Sequence, residues 1–550
     1  ISLLNPAGPG RDLSSCGSRL DETASVDLGY RRILDVMTIE AKRASAVRVP
    51  ASILCQDVDT IRYRQDVIED LLANRSLVAC LETIVPLRPR RRYYVMHPGK
   101  TESTPLQETV WRIRELETYV TCVNELRRAF GAADLELKSQ ALRALRSLID
   151  GIVHDPAFRQ LSGQLPELLR GINHIRSVTI GVNLNDGLIP NEAVLLSVNG
   201  TPFESSTFLE QVAASLGGST TGKLHSARET EYYANPMMIP LFRDLAQVLG
   251  KSVKPLGQAL KRFARINGTV FLNLMDEFLF YLGAVKLVEE MESRGLPMTR
   301  PVIHAREEKR FCVTGMYNID LALTRDDGRG VVPSDFEADS KRRLFVLTGP
   351  NAGGKTTFLQ AVGLVQILAQ IGLYVPARLA EVSICDNVYT HYPALEDPLK
   401  GTGRFGEEAE RLRCLFGEIS EYSLVLLNES LSSTSVSEAT YLAQDMLAVL
   451  SAMGTRAVYA THLHQLAIDR HLILGCPPEE CPIESLVAQI RRYDDGSMRP
   501  TFSVAVGPPT GKSYADALAE KHGVSRGQLE SLVDARRTRE PRTAVASNAR

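Results

Sequence analysis

One short stretch constrains the fold of this chain more than any other. It is Gly349-Pro-Asn-Ala-Gly-Gly354-Lys355-Thr356, set between the apolar run Arg343-Leu-Phe-Val-Leu347 and a helical pattern that continues to Leu373. The spacing fits G-x-x-x-x-G-K-[ST] in the context that motif requires, strand before and helix after. A glycine-rich turn of this kind aims successive backbone N–H groups at phosphate oxygens, and the helix N-terminus adds its dipole. Lys355 places a cation on the β- and γ-phosphates, and the Thr356 hydroxyl suits Mg²⁺. Gly349, Gly353, Gly354, Lys355, Thr356 and Thr357 are therefore the nucleotide-binding candidates. Two near-matches fail the same test. Gly217-Gly-Ser-Thr-Thr-Gly222-Lys223 is followed by Leu224 and lacks the metal hydroxyl. Gly507-Pro-Pro-Thr-Gly511-Lys512-Ser513 is one residue short, and its prolines remove backbone donors.

A phosphate loop needs a neighbouring strand that ends in metal-side and water-side groups. Tyr422-Ser-Leu-Val-Leu-Leu427-Asn428-Glu429 fits that place. Glu429 is the catalytic candidate that orients or deprotonates the attacking water. Asn428 stands where a carboxylate usually holds the Mg²⁺ shell, so with Thr356 it forms the metal side without adding charge. Slow hydrolysis with retained binding is the expectation. A third buried strand, Arg456 to Ala460, leads into Thr461 and His462, and His462 is placed to sense the terminal phosphate. Strands separated by helices imply a parallel sheet.

The rest of the chain has a different texture. Residues 1–27 are rich in Gly, Ser, Pro and charge and read as a loose, flexible leader. Helical patterning begins at Leu28 and recurs through Ser52 to Leu72. A basic stretch from Arg88 to Lys100 carries Tyr93 and Tyr94. Leu106, Val110, Ile113, Leu116, Val120, Val123, Leu126 and Phe130 recur with a period close to 3.5, the mark of a long helix packed along another. Leu274 to Met291 repeats the pattern until Gly295 and Pro297 stop it. Between the two, Ser177–Leu184 and Ala193–Val198 alternate like strands. Two long helices bracketing a small β insert suggest a pair of levers with a cap at the tip. Ser513 to Val533 reads as two short helices, and the basic residues from Arg536 onward as a disordered tail.

At 550 residues the chain has room for about three to five domains. A composition 44% hydrophobic and 23% charged excludes a wholly disordered chain. The net charge of −2 shows no global basic excess, though local clusters remain possible. The nine cysteines include no CxxC pair and read as reduced thiols of a cytosolic protein. No run reaches the 18 apolar residues a membrane helix needs, so no membrane is expected.

Thr348-Gly-Pro-Asn-Ala-Gly-Gly-Lys-Thr-Thr357, Gly372-Leu-Tyr-Val-Pro-Ala377, Tyr459-Ala-Thr-His-Leu-His-Gln-Leu466 and Gly511-Lys-Ser-Tyr514 closely resemble, in order and spacing, the MutS family of DNA mismatch-repair ATPases. The resemblance implies a multidomain α plus α/β fold: a helical core and lever region with a small β-containing clamp, then an ABC-type P-loop ATPase with a parallel sheet. The implied bounds are 1–27 for the leader, 28–310 for core and levers with a clamp insert at about 176–250, 311–505 for the ATPase, 506–535 for a helical dimerisation segment and 536–550 for the tail. It implies ATP and Mg²⁺, a homodimer with each nucleotide sandwiched between subunits, and a clamp closing on double-stranded or branched DNA. The expected location is cytoplasmic, on the nucleoid in a bacterium.

Carried over residue by residue, Asn351 is the loop asparagine, Glu429 the base and His462 the switch histidine. Gly403, Arg404, Phe405 and Glu408 occupy the signature position, where the partner subunit reads the γ-phosphate. The family's Ser-Thr-Phe is Gly403-Arg404-Phe405 here, so Arg404 takes the place of a hydroxyl. Ser430 to Ser435 is the loop linking the two sites, and Lys512, Ser513 and Tyr514 belong to the dimerisation segment. Phe405-Gly-Glu407 and Phe416-Gly-Glu418 match the letters of the mismatch wedge but sit inside the ATPase. The chain therefore resembles the shortened branches of the family, without the mismatch-reading domain and without a nuclease-like extension after residue 530.

For DNA, the stretch from Gly217 to Gly268 holds eight Lys and Arg against three acids. Lys223, Arg228, Lys251, Lys254, Lys261 and Arg262 are the contact candidates, suited to sequence-independent phosphate binding. Two other readings stay open: a mechanical ATPase acting on another large assembly such as a ribosome, and an ATP-binding scaffold with weak hydrolysis.

Overall fold

A computed structural model describes residues 1–7, 17–38, 44–87, 105–131, 135–173, 176–188, 190–202, 255–264, 266, 269–325, 330–393, 403–493, 498–509 and 523–539. It divides into two compact units, Ile1–Ala73 with Leu137–Leu142 and Asp276–Arg550, and Asn74–Glu136 with Arg143–Met275.

The first unit is built on a six-stranded sheet. Its order is Val388–His391, Leu424–Asn428, Arg456–Ala460, Leu344–Thr348, Ile483–Arg492 and Met498–Val506. The first five strands are parallel, as the strand–helix alternation requires. The last strand returns antiparallel, which the sequence did not announce. Every residue of Leu424–Asn428, Arg456–Ala460 and Leu344–Thr348 is buried, because helices cover both faces of a parallel sheet. One face packs Val346, Val425, Leu427 and Tyr459 against Leu412, Leu415, Ala443 and Leu447 of the helices Gly403–Glu418 and Val436–Met453. The other carries the helix Lys355–Ile371, buried from Ala361 through Ile371. A second sheet orders Val302–His304, Leu379–Ser383, Phe311–Met316 and Ser334–Ala338.

A helix buried all round must satisfy any polar side chain it carries. Gln370 does so by bonding backbone groups, and Gln366 does so through its amide nitrogen, while its Oε1 has no partner among the described residues. Gln370 Nε2 donates to the carbonyls of Cys55 (3.1 Å) and Cys385 (2.8 Å), while its Oε1 accepts from Cys385 N at 3.0 Å. Gln366 Nε2 donates to Ser383 O at 3.0 Å and to Gln370 Oε1 at 2.7 Å. At the far end, the fully buried Arg64 caps the helix by donating to Ile371 O at 3.0 Å.

Four expected boundaries are corrected. The described residues of 1–27, namely 1–7 and 17–27, are not a loose leader. Leu3, Leu4, Leu20 and Ala24 are buried. Leu4 O accepts from Arg64 Nε at 2.9 Å, and Leu3 O from the Tyr281 hydroxyl at 2.6 Å. Gly17–Arg19 pairs with Ile53–Cys55, and Asp21 caps the helix Glu22–Asp27. Scattered leucines carry this packing, and a Gly- and Ser-rich composition hides them. The region 28–310 is not one body either, since residues up to 73 and from 276 cluster with the ATPase sheet. The second sheet begins at Val302, ahead of the expected ATPase boundary at 311. Finally, the helix Arg526–Arg539 runs past the expected start of the tail at 536. Residues 510–522, with Lys512, Ser513 and Tyr514, and residues 540–550 lie outside the described residues.

In the second unit the helix Pro105–Phe130 buries Ile113, Leu116, Val120, Val123, Leu126 and Phe130, the face its spacing predicts. Tyr119 meets Phe158 and Phe271 edge-on at 6.0 and 5.5 Å. Ser177–Leu184 and Pro190–Asn199 pair antiparallel. Leu184, Val194, Leu196 and Val198 of this hairpin are exposed. Of the insert expected at 176–250, residues 203–250 lie outside the described residues. No helix among the described residues is long and apolar enough to cross a membrane. All eight described cysteines are free thiols.

The glutamine ladder gives a stability prediction. Gln370→Leu keeps volume but strands the Cys385 N–H and two carbonyls in the core, at about 1–3 kcal/mol for each unsatisfied group. Chemical unfolding should show a loss of about 3 kcal/mol; a loss under about 0.5 kcal/mol would contradict the assignment.

Candidate nucleotide site

The glycine-rich turn starts where the central strand ends. Gly349 takes φ +140°, and a Cβ there would lie 2.7 Å from Ala488 Cβ on the next strand, so only glycine fits. Gly354, φ +93°, opens the helix Lys355–Ile371. The turn thus presents a helix N-terminus at the carboxyl edge of a parallel sheet, where fixed partial positive charge favours an anion. Lys355 is buried and donates from Nζ to the carbonyls of Gly349 (3.1 Å) and Pro350 (3.2 Å). Desolvation lowers its pKa, and Glu429 partly opposes the shift.

The predicted partners converge on this turn. Thr356 Oγ1 donates to Asn428 Oδ1 at 3.2 Å, so the two metal-side candidates share one hydrogen bond. Glu429 Oε1 lies 3.8 Å from Lys355 Nζ and 2.9 Å from His462 Nε2. Glu429 takes a left-handed backbone, φ +49°, rare for a residue with a Cβ. Its N–H donates to Ala460 O at 2.8 Å, which ties it to the strand carrying His462. Asn351 is exposed on the turn. The Thr357 carbonyl accepts from Asn318 Nδ2 at 3.1 Å.

Beside the turn lies a cavity of about 290 Å³. Asn351, Gly353, Gly354, Lys355, Thr356, Thr357 and Glu429 line it, with Asn318, Arg325 and Ser334, and Met316, Leu321, Val331, Val332 and Phe502 add apolar surface. Sequence reasoning missed this apolar part. Its residues come from strands, a loop and the short helix Ile319–Leu323, scattered over nearly two hundred positions, with no motif to join them. Phe502 alone left a trace: an aromatic in the short run before Gly507, which the structure exposes at 51% with φ +62°.

The signature segment needs a correction. Gly403, Arg404 and Phe405 are exposed at the start of the helix Gly403–Glu418. Glu408 is buried at 5% exposure and cannot face a second subunit. Its carboxylate instead accepts from Leu431 N at 2.8 Å and from the Ser433 hydroxyl. Arg404 stands one turn earlier on the same face, in the exposed first turn of the helix, whereas Glu408 lies further along it and is covered by the Leu431–Ser433 loop. Of the DNA candidates, Lys261 and Arg262 are exposed in a short 3₁₀ turn of the second unit. Lys223, Arg228, Lys251 and Lys254 lie outside the described residues, as does the near-match at Gly217–Lys223.

Residues 345–476 match the model of MutS domain V, and residues 56–294 that of the MutS2 N-terminal domain. Among curated relatives, endonuclease MutS2 of Thermus thermophilus is 31% identical over 242 residues, 44% of this chain and 30% of its own length. The DNA mismatch repair protein MutS of Prochlorococcus marinus is 39% identical over 136 residues, 24% of this chain and 15% of that protein. A MutS from Synechococcus is 41% identical over 191 residues, 32% of this chain and 22% of that protein. The matched segments thus span less than a third of each relative.

Beneath the site, His391 is buried with Nδ1 2.7 Å from Ser430 Oγ. Burial, reinforced by Arg411 and opposed by Glu408, pushes its imidazole down to about 4 from 6.5. The folded chain keeps this ring neutral where the unfolded chain protonates it, so stability falls as pH drops from 6.5 toward 4. From about pH 7.5 to about pH 5 the loss should be about 2 kcal/mol in urea unfolding. The His391→Gln variant should lack that component; equal pH slopes in the two proteins would contradict it.

Proposed function

The chain belongs to the MutS family, and on that premise we propose that it is an ATP-dependent DNA-binding protein, a clamp-type ATPase working as a homodimer in DNA repair or recombination. One observation carries the catalytic half. Lys355, Glu429 and His462 meet within 3.8 Å at the mouth of the glycine-rich turn, beside the Thr356–Asn428 pair. The donor set fits ATP with Mg²⁺: backbone N–H groups and an ammonium for phosphate, a hydroxyl and an amide oxygen for a hard cation. When bound, Mg²⁺ would neutralise charge developing on the phosphates.

The chain's own residues do the rest. Lys355 supplies a desolvated cation, which acts more strongly than one in water. Glu429 holds a carboxylate oriented by His462 and Lys355, suited to aligning a water molecule. Asn428 accepts from Thr356 but brings no charge, which supports slow turnover and keeps the scaffold reading in view. The apolar part of the cavity, with Phe502 at its edge, suits a purine base.

The DNA half rests on the family and on exposed cations in the second unit. Phosphate contacts by Lys261, Arg262 and their basic neighbours would bind duplex or branched DNA without reading sequence, in the cytoplasm or on the nucleoid. Duplex affinity should then fall steeply with salt, with a log–log slope reduced by about 1 for each removed cation. Lys261→Ala with Arg262→Ala should flatten the slope by about 2. A salt-independent affinity, or preferential binding to ribosomal particles in competition, would overturn this half. For the nucleotide half, Lys355→Ala should weaken ATP binding at least about tenfold, a loss of about 1.4 kcal/mol. Unchanged binding would overturn it.

A further inference from the structure

We propose that Glu408 is a positioning residue for Glu429, holding the catalytic loop in its left-handed geometry from the helix Gly403–Glu418. The kinetic part of this inference rests on the ATPase reading above. The loop that follows Leu424–Asn428 is unusual: Glu429 and Leu431 both take positive φ, +49° and +69°. Such backbone persists only where its surroundings over-determine it. Four anchors do so here. The Glu429 N–H donates to Ala460 O at 2.8 Å. The Tyr459 hydroxyl donates to Ser430 O at 2.7 Å, and Ser430 Oγ meets His391 Nδ1 at 2.7 Å. These three reach the loop from the sheet.

The fourth anchor comes from a helix. Glu408 accepts from Leu431 N at 2.8 Å and from the Ser433 hydroxyl. It grips the backbone of the second left-handed residue, whose side chain is buried in the same core cluster as Val425, Leu427 and Tyr459, and the turn beyond it. Its helix begins at Gly403, Arg404 and Phe405, all exposed. Glu408 thus joins the exposed start of the helix to the loop whose first residue is Glu429. Released at Leu431, the loop would relax toward ordinary φ and carry the Glu429 carboxylate away from Lys355 and His462. Glu408, Leu431 and Ser433 do not line the nucleotide cavity, and Glu429 is the one residue of this loop that does, so ATP binding should survive.

The test uses the full chain with Glu408→Ala, Glu408→Gln, Glu429→Gln and the double variant Glu408→Ala/Glu429→Gln. Glu408→Ala should lower kcat at least about tenfold while ATP affinity, read with a fluorescent ATP analogue, stays within about twofold. Glu408→Gln should stay within about threefold of wild type, because an amide can accept from Leu431 N and donate to Ser433. The double variant should turn over no more slowly than Glu429→Gln alone, since Glu408 acts through Glu429. A second readout is independent of turnover. Amide exchange of residues 429–433 should quicken at least about tenfold in Glu408→Ala while Leu344–Thr348 is unchanged. Wild-type kcat in Glu408→Ala, an equal loss of affinity, or unchanged exchange at 429–433 overturns the proposal. A wild type that releases no phosphate sinks the ATPase reading, and the exchange result then decides Glu408 by itself.

Discussion

The structure depends on the burial of one helix. Lys355–Ile371 must end its first turn where the phosphate loop needs it, and it is held there from all sides. Apolar contacts with the sheet supply the attraction. Buried amides supply the direction, because the Gln366 and Gln370 Nε2 groups and Gln370 Oε1 meet Ser383, Cys55 and Cys385 in this register. Arg64 fixes the far end at Ile371 O. With length, register and axis set, the N-terminus at Lys355 has no freedom left, and a site that must hold phosphates to a fraction of an ångström benefits from that rigidity.

The site uses the rigidity unevenly. Lys355 and Thr356 sit on the helix, while Glu429 and His462 stand on short loops after neighbouring strands. The loop after Leu424–Asn428 carries backbone strain, with Glu429 at φ +49° and Leu431 at φ +69°. Strain at a catalytic loop on a rigid sheet is a common division of labour, and its cost is met by packing elsewhere. Asn428 is the one chemical departure. It keeps the hydrogen bond to Thr356 but brings no charge to the place proposed for the metal side.

What was legible in the sequence follows from how local each signal is. The strand–turn–helix around Gly349 to Lys355 is written in consecutive residues, and so are the strands ending at Asn428 and Ala460. Their convergence followed once a parallel sheet was assumed. The long helix Pro105–Phe130 was legible because its buried face repeats with a fixed period. Residues 1–27 mislead because Leu3, Leu4, Leu20 and Ala24 do not outweigh a Gly- and Ser-rich average. The apolar part of the cavity is assembled from Met316, Val331 and Phe502 on separate elements, which only tertiary structure unites. Glu408 is harder to place: the motif gives its position in the chain, but only the Leu431–Ser433 loop folded over that turn of the helix decides that its side chain is buried.

Phosphate release tests the central claim most directly. The account predicts that the purified chain with ATP and Mg²⁺ releases phosphate slowly but measurably, and that Glu429→Gln lowers the rate about 100-fold or more while ATP still binds. Equal rates in the two proteins would contradict it, because Glu429 would then have no part in the chemistry that the Lys355–Glu429–His462 arrangement implies.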